Sequence, residues 1–227
     1  MTGKLVVGSM PIGNPDDITI RMLKAIHDCD IIYSDYLPDN INNLLKLYNI
    51  EKEVVVLNST NTMHADMDQV NDVVMLISRG KTVLLVAGEG QVGVADPGTQ
   101  FIQACIEKSL PYTVLPGPSA FMTAFVASGI VNGDFFISCN MSKPEDVLER
   151  FRTSGTPVVV LVWQDKLTPI LEHIRDCFSI NKIITLACDM TMDSEMFLTG
   201  TAKELLANPR FKLINQSTKI ALVMHDN

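Results

Sequence analysis

The sequence predicts an α/β fold with a mostly parallel sheet in its N-terminal part and a mixed sheet in its C-terminal part. Through about residue 115, short apolar strand-like runs alternate with segments of helical period. Beyond the Pro/Gly-rich PGPSA (116–120) the strand-like runs follow one another more closely, as antiparallel pairs do. With 47% apolar and 19% charged residues in 227, the chain can bury a substantial core as one large domain or two small ones.

The elements of the first part run LVVGS, a helix over 17–28, DIIYS, a helix near 39–49, EVVVL, a helix near 66–79, TVLLV, a helix near 98–108, and YTVLP. Such β/α alternation implies parallel strands joined by helical crossovers. In the first helix Ile18, Met22, Ala25 and Ile26 recur at spacings of three and four, a stripe that faces a sheet. The second part reads as a helix through FMTAFVASG, strand DFFIS, a charged helix at KPEDVLERF, strand VVVLVW, a helix through LTPILEHIRDCF, strands IITLACD and EMFLTG, a short helix AKELL, and strand KIALVM. The expected domains are 1–115 and 116–227, both α/β.

Composition narrows the function. The five cysteines (Cys29, Cys105, Cys139, Cys177, Cys188) form no CxxC, so neither a disulfide framework nor a zinc site is expected, and a reducing cytoplasmic setting fits. The N-terminus enters strand-like KLVVG without the order of a secretory signal, and apolar runs such as PVVVLVW are far shorter than the ~20 residues of a spanning helix, so no membrane association is expected. A formal charge of −8 without a dense Lys/Arg cluster weighs against nonspecific nucleic-acid binding.

Three loops can carry chemistry. GSMPIGNPDDIT (8–19) follows the first strand, where open α/β sheets bind ligands; it matches neither GxGxxG nor GxxxxGK[ST], and Asp16 or Asp17 reads equally as a helix cap. AGEGQVGVADPG (87–98) holds four glycines, which admit close backbone approach to a ligand, together with Glu89 and Asp96. LPGPSAFMTA (115–124) turns at Pro116–Pro118, and Ser119 can cap the next helix or present backbone N–H groups to an anion. Each loop follows a strand, so in a doubly wound sheet all three converge on one edge. Asp35, Asp96, Glu89 and His64 are candidate bases, with Tyr36 a possible orienting hydroxyl. Asp35 is the one favoured for catalysis, although an aspartate ending a strand also caps turns. Of the methionines Met10, Met63, Met67, Met122, Met141, Met190 and Met192, most read as core gap-fillers, and Trp163 as a structural residue ending a buried strand.

The succession MPIGNPDDIT, GVADPG, PGPSA and LTGTAKEL, spanning Gly8 to about Leu205, resembles the tetrapyrrole-methylase superfamily, most closely its ribosomal small-subunit methyltransferase I branch. The resemblance implies a two-domain α/β fold, a homodimer, and S-adenosylmethionine bound in the cleft between the domains. By position it assigns cofactor contacts to Pro11, Gly13, Gly88, Glu89, Val94, Ala95, Ser119, Ala120, Met190, Thr191, Gly200 and Thr201. It implies methyl transfer to RNA, as a 2′-O-methylation of ribosomal RNA. The sequence departs from that branch at Ser34-Asp35-Tyr36-Leu37, where the branch has Glu-Asp-Thr-Arg, and at Gly88-Glu89-Gly90-Gln91-Val92, where it has Asp-Ala-Gly-Thr-Pro. Two other readings therefore stand beside it: a methyltransferase for a tetrapyrrole-like small molecule or a protein, and a non-catalytic descendant that binds the cofactor or a partner.

Overall fold

A computed structural model describes residues 3–35, 38–58, 64–94, 96–131, 133–140, 142–179 and 181–226. Tyr36, Leu37, Met63, Ala95 and Met141 lie outside the described residues. The chain divides into two compact units, Met1–Ser119 and Ala120–Asn227.

Unit 1 runs β1 (Lys4–Val7), β2 (Ser9–Met10), α1 (Ile20–Asp28), β3 (Ile31–Ser34), α2 (Pro38–Leu47), β4 (Val54–Val56), α3 (Met67–Ser78), β5 (Thr82–Val86), β6 (Gly90–Gln91), α4 (Thr99–Glu107) and β7 (Tyr112–Val114). Its five-stranded sheet has the order β4-β3-β5-β1-β7, and every pairing in it is parallel. Alternation along the strands sends side chains to two buried faces, as helical crossovers on both sides require. On one face Val6, Ile32, Leu84 and Val86 pack with Met22 and Ile26 of α1 and Ile41 and Leu44 of α2. On the other, Leu5, Val7, Tyr33, Val83 and Leu85 pack with Val70, Val73 and Ile77 of α3 and Phe101 and Cys105 of α4.

Unit 2 runs α5 (Ala120–Ala127), β8 (Phe136–Ser138), α6 (Pro144–Arg150), β9 (Val158–Val162), α7 (Gln164–Cys177), β10 (Lys182–Cys188), β11 (Met196–Gly200), α8 (Ala202–Ala207) and β12 (Ile220–Asp226). Its sheet order is β11-β10-β12-β9-β8, with β8 and β9 parallel and the other pairs antiparallel. Val158, Val160, Ile184, Leu186, Leu222 and Met224 form the core with Leu148 of α6, Leu167 and Leu171 of α7, and Leu205 of α8. The mixed sheet expected for the second half is thus present.

Three local expectations change. The first helix begins at Ile20, not at residue 17, and its cap is Thr19, whose hydroxyl accepts the Met22 N–H at 3.1 Å. Asp16 and Asp17 belong to a separate 3₁₀ turn over Pro15–Asp17, started by Asn14, whose side chain accepts the Asp16 N–H. Proline at 15 favours that early turn, and the threonine then restarts the chain as an α-helix. Trp163 is 56% exposed at the N-cap of α7, so it does not pack into the core as a structural tryptophan would. Met10 and Met190 are buried as core fillers, whereas Met67 and Met122 are exposed.

Candidate functional site

Chain path alone defines a crevice in unit 1. β1 and β5 are neighbours, yet the chain leaves β1 toward the face covered by α1 and α2, and leaves β5 toward the face covered by α3 and α4. Adjacent strands whose connections part to opposite faces open a gap at their carboxyl ends, the usual ligand site of an open α/β sheet. The segments at that gap are 8–19 and 87–98.

Hydrogen bonds stitch these segments together. β2 and β6 pair as a two-residue antiparallel ladder, with Ser9 opposite Gln91 and Met10 opposite Gly90. Gly90 has φ +64°, a left-handed conformation that costs an L side chain about 1 kcal/mol or more. The third loop joins them: the buried Ser9 hydroxyl donates to the Pro118 carbonyl at 2.7 Å. At Gly117 a β-carbon would stand 2.7 Å from Ser9 Cβ, so glycine is what allows the loop this close. Asn40, at the start of α2, donates from Nδ2 to the Gly88 carbonyl at 2.8 Å and to Glu89 Oε1 at 3.4 Å. The expected convergence of the three loops therefore takes place within unit 1.

Within this group Gly88 is buried, Pro11, Gly13, Glu89 and Ser119 are half-buried, and Val94 is exposed. Ala120 is the first residue of α5 in unit 2. Asp35 (4% exposed), at the end of β3, and Asp96 (8% exposed), in the loop before α4, are buried acids. Burial pushes the Asp96 carboxyl up to about 6, opposed by hydrogen bonds from backbone N–H groups of the same loop and reinforced by the negative charge of Asp35. One of those bonds, from Gly93 N–H to Asp96 Oδ1, is 2.6 Å long. His64 is exposed, with Nδ1 3.1 Å from Gln100 Nε2.

The electrostatics of this edge are one-sided. Among the described residues, 8–19, 35, 38–40, 57–58, 64–66, 87–94, 96–98 and 115–119 contain no lysine or arginine but seven acids, Asp16, Asp17, Asp35, Asp39, Asp66, Glu89 and Asp96. Helix N-termini contribute partial positive charge here, and first-turn acids such as Asp39 and Asp68 oppose it. The edge therefore suits a cationic ligand and disfavours a polyphosphate.

Unit 2 separates its candidates. Met190 and Thr191 lie in the β10–β11 turn, where Thr191 has φ +65°, an unusual conformation for a β-branched residue. Its N–H donates to Glu195 Oε2 at 2.8 Å. Asp189 fixes the base of the turn, accepting from Ser194 Oγ and from the Lys219 N–H. Gly200 and Thr201 stand at the other end of β11, about 15 Å away at the rise of a strand. There Thr201 caps α8 in a capping box: its hydroxyl accepts the Glu204 N–H, and Glu204 accepts the Thr201 N–H at 2.8 Å. A β-carbon at Gly200 would meet Glu204 Oε2 at 3.0 Å. Helix capping accounts for this motif.

Ser9, Asn40 and Gly117 escaped the sequence reading. Ser9 and Gly117 sat inside the segments already singled out, as a polar residue continuing an apolar strand and as a glycine between two prolines. Asn40 carried no signal, because its partner is 48 residues away.

Among the described residues no helix is long and apolar enough to cross a membrane, and no cluster of His, Cys, Asp and Glu is fit to hold a metal. Two relatives named ribosomal RNA small subunit methyltransferase I align over most of their length. One from Hydrogenobaculum sp. (strain Y04AAS1) is 30% identical over 225 residues, 97% of this chain and 95% of its own. One from Thermotoga maritima is 26% identical over 208 residues, 91% of each chain. In fold the chain resembles the uroporphyrin-III-C-methyltransferase of Thermus thermophilus, with TM-score 0.68 and 17% identity over 98% of this chain and 94% of that one. It also resembles the methyltransferase CobJ, with TM-score 0.69 and 17% identity over 99% and 95%. Residues 4–206 match the pattern of the Tetrapyrrole (Corrin/Porphyrin) Methylases, and the chain belongs to that family as a methyltransferase whose donor is S-adenosylmethionine.

Proposed function

We propose that this enzyme methylates a ribose 2′-hydroxyl of small-subunit ribosomal RNA. The observation that carries this reading is the alignment, along more than nine-tenths of both chains, with two relatives named for small-subunit ribosomal RNA. The donor, when bound, supplies an electrophilic methyl group on a sulfonium cation. The carboxyl edge of unit 1 fits such a cation, with seven acids and no lysine or arginine in its loops. Its holders on our reading are Pro11, Gly13, Gly88, Glu89, Val94 and Ser119, with Ala95 and Ala120 adjoining them in sequence. The family resemblance also assigns Met190 and Thr191 of unit 2, which lie in a turn held by Glu195 and Asp189. Gly200 and Thr201 are left to the helix cap.

A ribose hydroxyl is a weak acid, so a base must take its proton as the new bond forms, whereas positioning supplies most of the remaining rate. We assign that base to Asp35, buried at the carboxyl end of β3. Asp96, whose charge interacts with it, changes protonation at about pH 6, so turnover rises as pH passes through that value. The reading places the enzyme in the cytoplasm, and the family resemblance supports a homodimer.

The test is calorimetric titration with S-adenosylmethionine and S-adenosylhomocysteine, on wild type and Gly88→Arg, followed by labelled methyl transfer to small-subunit rRNA, tetrapyrrole and protein acceptors. Binding lost in the variant and label incorporated into rRNA are expected. Label in a tetrapyrrole or protein alone would replace the acceptor. Donor bound with no acceptor labelled would favour a non-catalytic protein.

A further inference from the structure

In an acidic chain, one stretch runs against the charge balance. Between Glu195 and Asp226 the only acid is Glu204, against Lys203, Arg210, Lys212 and Lys219. Glu204 is engaged by the capping box of α8. Within this stretch, residues 208–219 (NPRFKLINQSTK) carry three cations, two asparagines, a glutamine, a serine and a threonine, and no acid. Lys203, Arg210 and Lys212 are exposed, and among the described residues none of them makes a salt bridge.

The segment is ordered by its own short-range bonds. Asn208 caps a 3₁₀ turn over Pro209–Leu213 by accepting the Arg210 N–H at 2.9 Å. Asn215 then closes a second turn, accepting the Ser217 N–H at 2.9 Å while its own N–H donates to Thr218 Oγ1. Phe211 packs against the unit 2 core and Leu213 is 65% exposed. Exposed Arg and Lys among Asn, Gln, Ser and Thr on a rigid backbone is the side-chain set that contacts phosphate and sugar in nucleic-acid complexes. The matched family region ends at residue 206, just before this segment.

We infer that residues 203–219 of unit 2 form the surface that receives the phosphate backbone of the RNA substrate, with Arg210 and Lys212 as its principal phosphate contacts. This rests on the ribosomal RNA reading above. It resolves the electrostatic difficulty of that reading: an RNA backbone is repelled by the acidic edge of unit 1 and attracted by this stretch.

The test compares Arg210→Gln/Lys212→Gln with a control of equal charge change on unit 1, Lys24→Gln/Lys108→Gln. Binding of a small-subunit rRNA transcript is measured from 50 to 200 mM salt, with donor affinity measured in parallel. The unit 2 variant should bind RNA on the order of tenfold more weakly at low salt, with the slope of log K against log salt reduced by about 1.5 to 2. Its donor affinity should be unchanged, and the control should bind RNA like wild type. Equal losses in both variants, or none in the unit 2 variant while wild type binds RNA, would overturn the surface and leave the RNA reading in place. A wild type that binds donor but no RNA would overturn both.

Discussion

The two units bury both faces of a five-stranded sheet by different routes, and the routes decide where chemistry can gather. In the five-stranded sheet of unit 1 every pairing is parallel, so its strands all end at the same edge and the loops after β1, β5 and β7 meet there. In unit 2 three of the four pairings are antiparallel, so successive turns fall at opposite ends. That is why Pro11, Gly88 and Ser119 share one neighbourhood, while Met190 and Thr191 are parted from Gly200 and Thr201 by the length of β11. Charge follows the same division. Unit 1 holds 8 lysines and arginines against 14 acids, and unit 2 holds 10 against 12. The acidic excess thus lies in the unit whose loops converge on one edge, and the cation-rich stretch lies in the other unit.

The sharpest test of this division is catalytic. Asp35→Asn should reduce methyl transfer by about 10²- to 10⁴-fold in single turnover, with donor affinity within a few-fold of wild type. An unchanged rate would move the base elsewhere.

Next in size are the two cores. Leu84→Ala in unit 1 and Leu222→Ala in unit 2, both at 0% exposure, should each cost about 3 kcal/mol in urea denaturation. A loss below about 1 kcal/mol at either would mean that the site relaxes around the gap instead of holding a packed core.

Asp96 gives unit 1 a pH signature. Its folded pKa of about 6 lies above the ordinary aspartate value of 3.8, so between these values the folded protein retains a proton that the unfolded chain has released. Its contribution therefore declines as pH rises from about 4 to about 6 and stays lost above that, by up to about 3 kcal/mol. Asp96→Asn should flatten thermal stability across that window and, if the pair assists proton removal, abolish the rise in turnover near pH 6. A wild-type stability curve already flat there would count against the buried acid.

The smallest effect separates a cap from a cofactor contact. Thr201→Ala should cost about 1 kcal/mol in stability and leave the affinity for S-adenosylmethionine unchanged. A tenfold loss of donor affinity without loss of stability would return Thr201 to the binding site.

By itself the sequence determined the layers and most of the loops that matter. Periodicities of two and 3.6 register which face of each element is buried, and clusters of glycine and proline mark where backbone must turn, so both are local signals. Loop convergence was legible because β/α alternation forces parallel strands, and parallel strands share an edge. Tertiary structure decided what depends on distant partners. Asn40 reaches Gly88 from 48 positions away, Ser9 reaches Pro118 from 109, and the burial that raises the Asp96 carboxyl comes from the fold around it. It also decided that Asp16 and Asp17 serve a separate turn and that Trp163 faces outward. Those outcomes rest on which groups meet in space, and composition and spacing carry no measure of that.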